Sequence, residues 1–383
     1  MRKKLIRITT VPISLDKLLD GQLNFMNSYF EVIAISSNLN DLEKIKSKEE
    51  VKVYSVEMTR KITPIKDIIA VFKMYLFFKK QKPFIVHTHT PKAGIVGMLA
   101  SRLAGVHQRI HTVAGLPLLE AVGVKRKILN FVERLTYSCA TKVYPNSFGL
   151  EKIIIENRFC SKNKIKVIAN GSSNGIDVDH FSAENVSKEI TNELKNKLGI
   201  ARNDFVFIFV GRLVKDKGIN ELISAFESLA KANTNFKLLL VGTLETDLDP
   251  LFPCTIETIK NHPSIISMGW QEDVRPYFSV SNVLVFPSYR EGFPNVVLQA
   301  GAMGLPSIVT NINGCNEIIE DYKNGLIIPV KNESALEQAM LKIYLQNELY
   351  ILLKNNSRDQ IVAKYKQELV WNALLNEYQN LLN

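Results

Sequence analysis

The sequence predicts an α/β protein of two domains, each a doubly wound parallel sheet with helices on both faces. Its 383 residues are enough for two domains that each bury a core of their own. Short apolar runs typical of strands alternate with longer helical patterns, and this alternation occurs twice along the chain. A stretch rich in Gly, Ser, Asn and Asp, NGSSNGIDVDHFSAENVS, lies between the two series. We therefore predict domains over residues 1–180 and 181–364.

The first series predicts a sheet in which helices connect consecutive strands. Helical patterns lie at Ile65–Lys80, Ala93–Ala104 and Lys125–Ser138, and a helical crossover is how parallel strands are joined. The predicted strands are, in chain order, KLIRITTV, EVIAIS, VKVYSV, FIVHTH, RIHTV, KVYPN and IKVIAN.

The second series repeats this arrangement, with helical patterns at Ile219–Ala232 and Pro294–Met303. Its predicted strands are FVFIFVG, KLLLVG, IISMG, VLVFPS, PSIVT and GLIIPV. Two such domains in tandem are expected to face a central cleft at the carboxyl ends of their strands, where open α/β sheets bind ligands. This favours a nucleotide-dependent enzyme.

The charge of the chain is unevenly distributed. Residues 1–180 carry 29 Lys and Arg against 15 Asp and Glu, whereas the remainder carries 19 against 23. A basic first half suits an anionic partner, which could be nucleic acid, a membrane surface or a diphosphate-bearing substrate. The sequence shows no nucleic-acid-binding motif and no basic-aromatic platform, which argues against nucleic acid.

Cysteine spacing and hydropathy bear on the compartment. The four cysteines lie far apart with no C-x-x-C pair, which argues against a zinc site or a disulfide framework and favours a reducing compartment. No apolar run approaches the roughly 18–20 residues of a membrane-spanning helix. The basic start MRKKLIRITTVPI is interpreted as a first strand, because its apolar part is too short for a signal peptide. We expect a cytoplasmic protein.

The segment FVFIFVGRLVKDKGINELISAF is the first motif that indicates chemistry. A buried strand ends at Gly211, and Lys217-Gly218 opens a helix. Glycine lets the backbone approach a ligand closely, while Arg212 and Lys217 can converge on an anion beside the helix N-terminus. A diphosphate fits this pattern. The alternative is an ordinary strand–helix loop with two solvated cations, because no Walker or G-x-G-x-x-G pattern is present.

The segment YREGFPNVVLQAGAMGLP is the second motif. Pro294 suits the first turn of a helix and leaves the N–H groups around Phe293–Val296 free. Glu291 is then placed just outside that turn, at the mouth of the sheet. The alternative is a buried helix with a polar cap.

These motifs together resemble the retaining glycosyltransferases of family 4. Gly211-Arg212 with Lys217-Gly218, followed by REGFPNVVLQA, carries the resemblance. It extends to NGIDVDHF, to GLPSIVTNINGCNEIIEDYKNGLIIPV and to a closing helical segment with Trp371, so it covers nearly the whole chain. TVPISLDKLLDGQL and HTHTPKAGIVGMLASRLAGV are similar to the subset that builds bacterial surface polysaccharides on a polyprenyl-diphosphate carrier.

The resemblance implies the GT-B fold of two Rossmann-like domains, the first binding the acceptor and the second the nucleotide sugar. A closing helix at about 365–383 is expected to pack back on the first domain. The implied reaction moves a hexose or N-acetylhexosamine from a UDP-sugar to a polyprenyl-diphosphate-linked saccharide at the inner face of the cytoplasmic membrane. It retains anomeric configuration by same-face attack, and it needs no protein nucleophile, metal or cofactor.

The resemblance also implies roles for individual residues. Arg212 and Lys217 bind the donor diphosphate, and Glu291 lies by the donor sugar; these three are the predicted catalytic residues. The predicted donor-binding residues are Gly211, Gly292, Phe293, Pro294, Asn295 and Gln299. The family usually has Glu at the last of these positions, where it bonds the nucleotide ribose, and Gln can still accept one hydrogen bond and donate another.

Three histidines are candidates for contact with the acceptor or the donor sugar. His87 and His89 alternate on a predicted strand, so both project to one face. As a metal pair they lack a third ligand nearby. Many relatives have a His where this chain has Ala114, and His111 three residues earlier either reaches the cleft or belongs to the core. LETDLDP is similar to the D-x-D of metal-dependent transferases, but we interpret Asp247 and Asp249 as a solvated loop.

Two helical segments combine apolar and basic residues. IKDIIAVFKMYLFFKK and VKRKILNFVERLTYSCATK are either core-packed helices with lysines in water or helices that dock shallowly on an anionic membrane. For the whole chain, the alternatives to a transferase are a nucleotide-sugar epimerase or phosphorylase with the same fold, and a transferase-like binding protein without activity.

Overall fold

The computed structural model describes residues 2–59, 61, 63–247 and 249–382 and divides the chain into two compact units. The first unit runs up to Asn174 and includes Glu368 onward, and the second is Gly175–Gln367. The change of unit at Asn174 lies inside the Gly- and Ser-rich stretch, a few residues before the predicted boundary. Each unit is described in turn.

The first unit contains a six-stranded sheet in which every pairing is parallel. The order β3-β2-β1-β4-β5-β6 reverses direction between β1 and β4. Its strands are β1 (Lys4–Ile8), β2 (Glu31–Ser36), β3 (Lys52–Ser55), β4 (Ile85–Thr88), β5 (Gln108–Val113) and β6 (Lys142–Pro145). Its helices are α1 (Pro12–Leu18), α2 (Gln22–Asn27), α3 (Leu39–Glu49), α4 (Pro64–Gln81), α5 (Pro91–Leu103), α6 (Gly123–Cys139) and α7 (Phe148–Glu156), with a 3₁₀ turn at Pro117–Glu120.

The second unit repeats this topology with the strand order β12-β11-β10-β7-β8-β9, which reverses between β7 and β10. Its strands are β7 (Phe205–Val210), β8 (Phe236–Val241), β9 (Ile265–Gly269), β10 (Val283–Phe286), β11 (Ser307–Thr310) and β12 (Gly325–Ile328). Its helices are α8 (Lys188–Lys197), α9 (Ile219–Ala232), α10 (Pro253–Asn261), α11 (Arg275–Ser279), α12 (Asn295–Ala302), α13 (Cys315–Ile318), α14 (Glu333–Leu345) and α15 (Asn347–Tyr365), with 3₁₀ turns at Ala183–Asn185 and Lys215–Lys217.

The predicted fold class of two doubly wound parallel sheets is confirmed by these two topologies. One predicted strand is wrong, because IKVIAN forms no strand. Ile165 makes a single bridge to Val143, and the segment then turns through Ala169, whose φ of +49° belongs to the left-handed region. A residue in that conformation ends an extended run.

The closing helix α16 (Gln367–Asn380) covers one face of the first unit's sheet. Leu374, Leu375 and Tyr378 of α16 are buried in the same core cluster as strand residues of β1, β4 and β5. The Trp371 indole N–H donates to Asn174 Oδ1 at 2.7 Å, and its ring fills the space where a side chain on Gly21 would lie. The end of the chain thus completes the hydrophobic core of the first unit.

Candidate functional site

Two loops of the second unit meet where its strand order reverses, at the carboxyl ends of β7 and β10. Gly218 has a φ of +71°, and a Cβ there would lie 2.2 Å from the Pro287 carbonyl oxygen, so only glycine fits. The backbone of Gly242 similarly lies close to that of Gly211, which directly follows β7. A Cβ on Gly242 would lie 1.8 Å from the Gly211 carbonyl oxygen. Ligands of open α/β sheets bind at such a reversal point, which makes this edge the candidate site.

An ion pair between Lys217 and Glu291 lies at the centre of this edge. The side chains are only 16% and 15% exposed, and the buried Ser288 hydroxyl donates to the same carboxylate at 2.8 Å. The Lys217 ammonium also lies 5.5 Å from the centre of the Phe286 ring. Two residues 74 positions apart in the sequence are thus held together as one ion pair.

Arg212 has a different partner. Its guanidinium donates to Glu245 at 2.9 Å, and the two side chains are 50% and 34% exposed. Both cations that the sequence predicts at a diphosphate therefore contact carboxylates in this structure. The Arg212 pair is exposed and weak, at about 0–1 kcal/mol, so an anionic ligand can recruit Arg212 at low cost.

Asp216 joins the two loops through its backbone and its carboxylate. Its carbonyl oxygen accepts from the Tyr289 N–H at 2.8 Å, and its carboxylate pairs with Arg290 at 2.8 Å. Its own N–H donates to Asp249 at 2.6 Å. Asp249 is half-buried within this network whereas Asp247 is exposed, so the interpretation of both as solvated is right only for Asp247.

The turn before α12 presents free backbone donors beside Glu291. Pro294 caps the helix, and the N–H groups of Asn295 and Val296 fall in its first turn, which has no intrahelical acceptors. The next loop anchors the turn from behind. Asn313 donates to the carbonyl oxygens of Glu291 and Gly292, and a Cβ on Gly314 would lie 2.6 Å from the second of these.

The remaining predicted donor residues line this turn. Phe293 is buried, with its ring 5.4 Å from that of Tyr365, so it anchors the turn in the core. Gln299 follows Asn295 by one turn of α12 and is half-buried. Within the described residues, its side-chain amide has no hydrogen-bond partner, which leaves it available to a ligand.

Four residues of this site, Asp216, Ser288, Arg290 and Asn313, were not predicted from the sequence. In the sequence they are ordinary polar residues in loops and match no motif. Only the strand order shows that β7, β10 and β11 end side by side and bring them together. Cys315 is a fifth residue of the site that was not predicted. Burial raises the pKa of its thiol well above the usual value, and the nearby Glu291 charge raises it further. It is therefore a neutral, packed side chain.

The three candidate histidines lie in the first unit and are buried. His87 is hydrogen-bonded to Tyr378 at 2.5 Å and to Thr112 at 2.7 Å, and its ring stacks on His89 at 4.2 Å between centroids. The two side chains thus share one face, as the alternation predicts. Burial is the main cause that lowers the pKa of each well below its usual value, so both are neutral.

His89 accepts a hydrogen bond from Arg7 at 2.9 Å, and its Nδ1 has no partner within the described residues. A cavity of about 20 Å³ lies beside it, large enough for one water molecule. His111 is hydrogen-bonded to Thr88 at 2.7 Å and lies directly beneath Gly94. Of the two alternatives for His111, the structure gives the core histidine.

The part of the chain that the structure describes contains no group of three His, Cys, Asp or Glu side chains that could hold a metal ion. The same residues include no helix long and apolar enough to cross a membrane.

Comparison with known proteins identifies the family. The protein-family model described as glycosyl transferases group 1 matches residues 190–360, and the family model described as glycosyl transferase 4-like matches residues 22–147. The capsular polysaccharide biosynthesis glycosyltransferase CapM of Staphylococcus aureus is 33% identical over 99% of this chain and 98% of that protein. The Escherichia coli UDP-Gal:alpha-D-GlcNAc-diphosphoundecaprenol alpha-1,3-galactosyltransferase is 32% identical over 80% of this chain and 77% of its own.

Solved structures share the fold. A glycosyltransferase from Rickettsia africae superposes with a TM-score of 0.82 at 19% identity, covering 100% of this chain and 99% of that one. Anabaena Alr3699/HepE in complex with UDP gives 0.80 at 17% identity, with 99% and 100% coverage. The chain therefore belongs to the family 4-like glycosyltransferases with the GT-B fold, and it is a hexosyltransferase.

Proposed function

We propose that this enzyme transfers a hexose or N-acetylhexosamine from a UDP-sugar to a saccharide carried on polyprenyl diphosphate, with retention of configuration. The observation that carries the proposal is the Lys217–Glu291 pair held beside the first turn of α12 at the strand-order reversal. The names of two relatives support the acceptor class: the Escherichia coli enzyme is named for a UDP-Gal donor and a diphosphoundecaprenol acceptor, and a Campylobacter jejuni enzyme that is 26% identical is also named for a diphospho-undecaprenol acceptor.

In this proposal the donor diphosphate replaces Glu291 as the partner of the Lys217 ammonium. Arg212 turns from Glu245 to the same diphosphate, and the N–H groups at the start of α12 point at its oxygens. The released Glu291 carboxylate, still held by Ser288, accepts hydrogen bonds from sugar hydroxyls. Ribose binding falls to Gln299.

Catalysis then depends on charge that develops as the glycosidic bond breaks. The bonding electrons pass to the leaving diphosphate, which gains negative charge. Arg212, Lys217 and the helix N–H groups stabilise this charge more strongly in the transition state than in the bound donor. The acceptor hydroxyl attacks from the face that the diphosphate leaves, and its proton passes to a diphosphate oxygen. We propose that these cations neutralise the leaving group in place of a divalent metal.

The acceptor places the reaction at a membrane. A polyprenyl chain stays in the bilayer, so the enzyme would act peripherally at the inner face of the cytoplasmic membrane and contribute to capsule, O-antigen or other surface polysaccharide. We assign acceptor binding to the first unit, which carries the excess of basic residues.

The test is the thermal stability of the purified chain with UDP, GDP, ADP and CMP in turn. At a UDP concentration of about 100 times Kd, binding adds about 2.7 kcal/mol of stability, which corresponds to a rise in Tm of roughly 5–10 °C for a unit of this size. Arg212→Ala should reduce the UDP shift and slow turnover by about 10²–10³. Arg202→Ala is the matched control, since Arg202 is exposed before β7, at the opposite edge of the sheet.

A shift with another nucleoside diphosphate but not with UDP would contradict the proposed donor. Unchanged turnover in Arg212→Ala would contradict the proposed clamp. Conversion of the UDP-sugar to its isomer without an acceptor would show an epimerase instead.

A further inference from the structure

Helix α4 of the first unit is apolar on the side that faces solvent. Five large apolar side chains recur every three or four residues, so they form one stripe along the helix. They are Ile65, Ile68, Ile69, Phe72 and Leu76, with 77%, 69%, 50%, 60% and 51% of their surface exposed. The buried face, with Ala70, Met74 and Phe78, lies on the opposite side. Packing within the unit therefore explains only half of the apolar surface of this helix.

Helix α6 repeats this arrangement over its first half. Its exposed apolar side chains are Val122, just before the helix, and Val124, Ile128 and Phe131, with 83%, 73%, 47% and 65% exposed. The buried residues Glu133 and Tyr137 lie on the opposite face. Two helices that face solvent with apolar stripes need a common explanation, since scattered apolar residues are normal but a contiguous patch marks an interaction site.

The two stripes belong to one surface. Helices α4 and α6 both pack against α5, so the three lie side by side on one face of the sheet, with about 8–10 Å between neighbouring axes. Both outer helices follow strands of a parallel sheet and so begin at its carboxyl edge. Ile95 and Leu99, half-buried on α5, lie between them. We call the eight exposed side chains of α4 and α6, together with Val122, the α4–α6 patch.

Lysines accompany both stripes. Lys66 and Lys73 follow Ile65 and Phe72 along α4, and both are exposed. Lys125 and Lys127 lie on either side of the Val124–Ile128 stripe of α6. Asp67, the acidic residue in the first turn of α4, is already paired with Lys92. An apolar centre with a basic rim has the chemistry of a surface that lies on anionic lipid headgroups.

We propose that the α4–α6 patch docks this enzyme on an anionic bilayer, with Phe72 and Phe131 entering the headgroup region and the lysines contacting lipid phosphates. A second copy of the chain is a poorer occupant, because a two-fold contact would bring the same lysines of both copies together. The inference rests on the proposed function only in that a lipid-linked acceptor makes such docking useful.

The test is flotation of the full chain with vesicles, without donor or acceptor. Vesicles of phosphatidylglycerol and phosphatidylethanolamine are compared with vesicles of phosphatidylcholine, at low and at high salt. We expect binding to the anionic vesicles that weakens with salt. Lys73→Gln with Lys127→Gln should lower the partition coefficient by about 25-fold at low salt, since each lysine near the surface contributes roughly a factor of five.

The apolar part of the patch is tested by Phe72→Ser with Phe131→Ser, which should lower binding at least tenfold. Trp270→Ser with Leu345→Ser is the matched control: these second-unit side chains are 66% and 67% exposed and lie outside the patch, so binding should not change. A cooperative thermal unfolding transition without ligand, measured on every variant, shows that the chain is folded, and its shift with UDP is then measured separately. The shift with UDP tests the donor site independently of docking.

Two results would overturn this inference. One is equal binding of the wild type and both patch variants to anionic vesicles. The other is absence of binding of the folded wild type to anionic vesicles. If analytical ultracentrifugation then shows a dimer that Phe72→Ser with Phe131→Ser dissociates, the patch belongs to a contact with a second copy of the chain.

Discussion

Replacing Lys217 by Met separates its proposed contact with the donor from its observed contact with Glu291. Methionine keeps an unbranched stem of similar length against Phe286 and removes the ammonium, so the packing changes little. Glu291 loses its ion-pair partner but keeps the hydrogen bond from Ser288 at 2.8 Å. The change therefore tests one charge rather than the shape of the site.

The expected magnitude follows from the proposed exchange of Glu291 for a phosphate as the partner of Lys217. A hydrogen bond between charged groups contributes about 1.5–3 kcal/mol, or roughly 10–150-fold in Kd. In the proposed exchange Lys217 gives up Glu291 for a phosphate, so the net gain in binding free energy is smaller than that of the full contact. We expect the Kd for UDP to rise by about 10–30-fold, at the lower end of that range.

Folding stability provides a second number. Removing one partner of a fully buried pair costs about 3–5 kcal/mol. This pair is slightly exposed and Ser288 still supports the carboxylate, so a cost of about 2 kcal/mol is expected. In the double variant with Glu291→Gln the unpaired charge is gone, and most of this loss should be recovered.

The assay is isothermal titration with UDP, with urea unfolding for stability. Lys215→Met is the control: it lies in the same loop and removes the same charge, but its ammonium lies 5.4 Å from the Phe252 ring, and its side chain is exposed. Its UDP affinity should stay within about twofold of wild type. Equal UDP affinity in Lys217→Met and wild type would refute a phosphate contact and leave Lys217 as a structural partner of Glu291.

Three further changes test neighbouring features. Glu245→Gln frees Arg212 from an exposed ion pair, so UDP should bind up to about fivefold more tightly; weaker binding in titration would contradict competition for Arg212. Ser288→Ala removes the hydroxyl that orients Glu291, and we expect KM for the UDP-sugar to rise roughly tenfold while UDP affinity stays constant. KM is measured by steady-state kinetics and UDP affinity by titration, and an equal loss of UDP affinity would contradict this prediction. Burial lowers the pKa of His111 to about 4 from 6.5, so its stability contribution is complete above about pH 6.5 and is lost as the pH falls toward 4. Burial lowers the pKa of His87 and His89 in the same direction, so denaturant unfolding should show at least about 2 kcal/mol less stability at a pH about 1.5 units below 6.5. A flat profile would contradict neutral buried imidazoles.

Much of the fold could be predicted because its signals are local. Each strand of the two sheets is a short apolar run, and helical patterns separate many of these runs, so the doubly wound class follows from the order of elements alone. IKVIAN shows the limit of this reasoning. Its apolar residues suit a strand, yet Ile165 makes only a single bridge, to Val143 of β6, and the turn of the backbone at Ala169 ends the pairing.

The sequence was enough to predict several residues of the site, but not how these residues are paired in space. Glycines and cations at strand ends indicate an anion site, and this placed Arg212, Lys217 and Glu291 at one sheet edge. Their partners could not be read from the sequence, because Glu245 is 33 positions from Arg212 and depends on the course of the loop after β8. The alternation of His87 and His89 predicted that their side chains share one face of the sheet. Their burial could not be predicted, because it depends on α16, whose Tyr378 lies almost 300 positions from His87 in the sequence.

The pairing of both cations with carboxylates has a consequence for donor selection. A ligand-free site with Lys217 and Arg212 unpaired would bind many anions, including inorganic phosphate. With Glu291 and Glu245 in contact, an anion gains only the difference between two partners at each cation, so one phosphate gains little. In the proposed binding mode a diphosphate meets both cations and also the N–H groups of α12, and its advantage grows with each contact made together. Glu291 would then contribute to this selection before any chemistry, and its carboxylate, once released, would be available to a sugar. On this proposal the same carboxylate discourages the wrong anion and binds the correct donor.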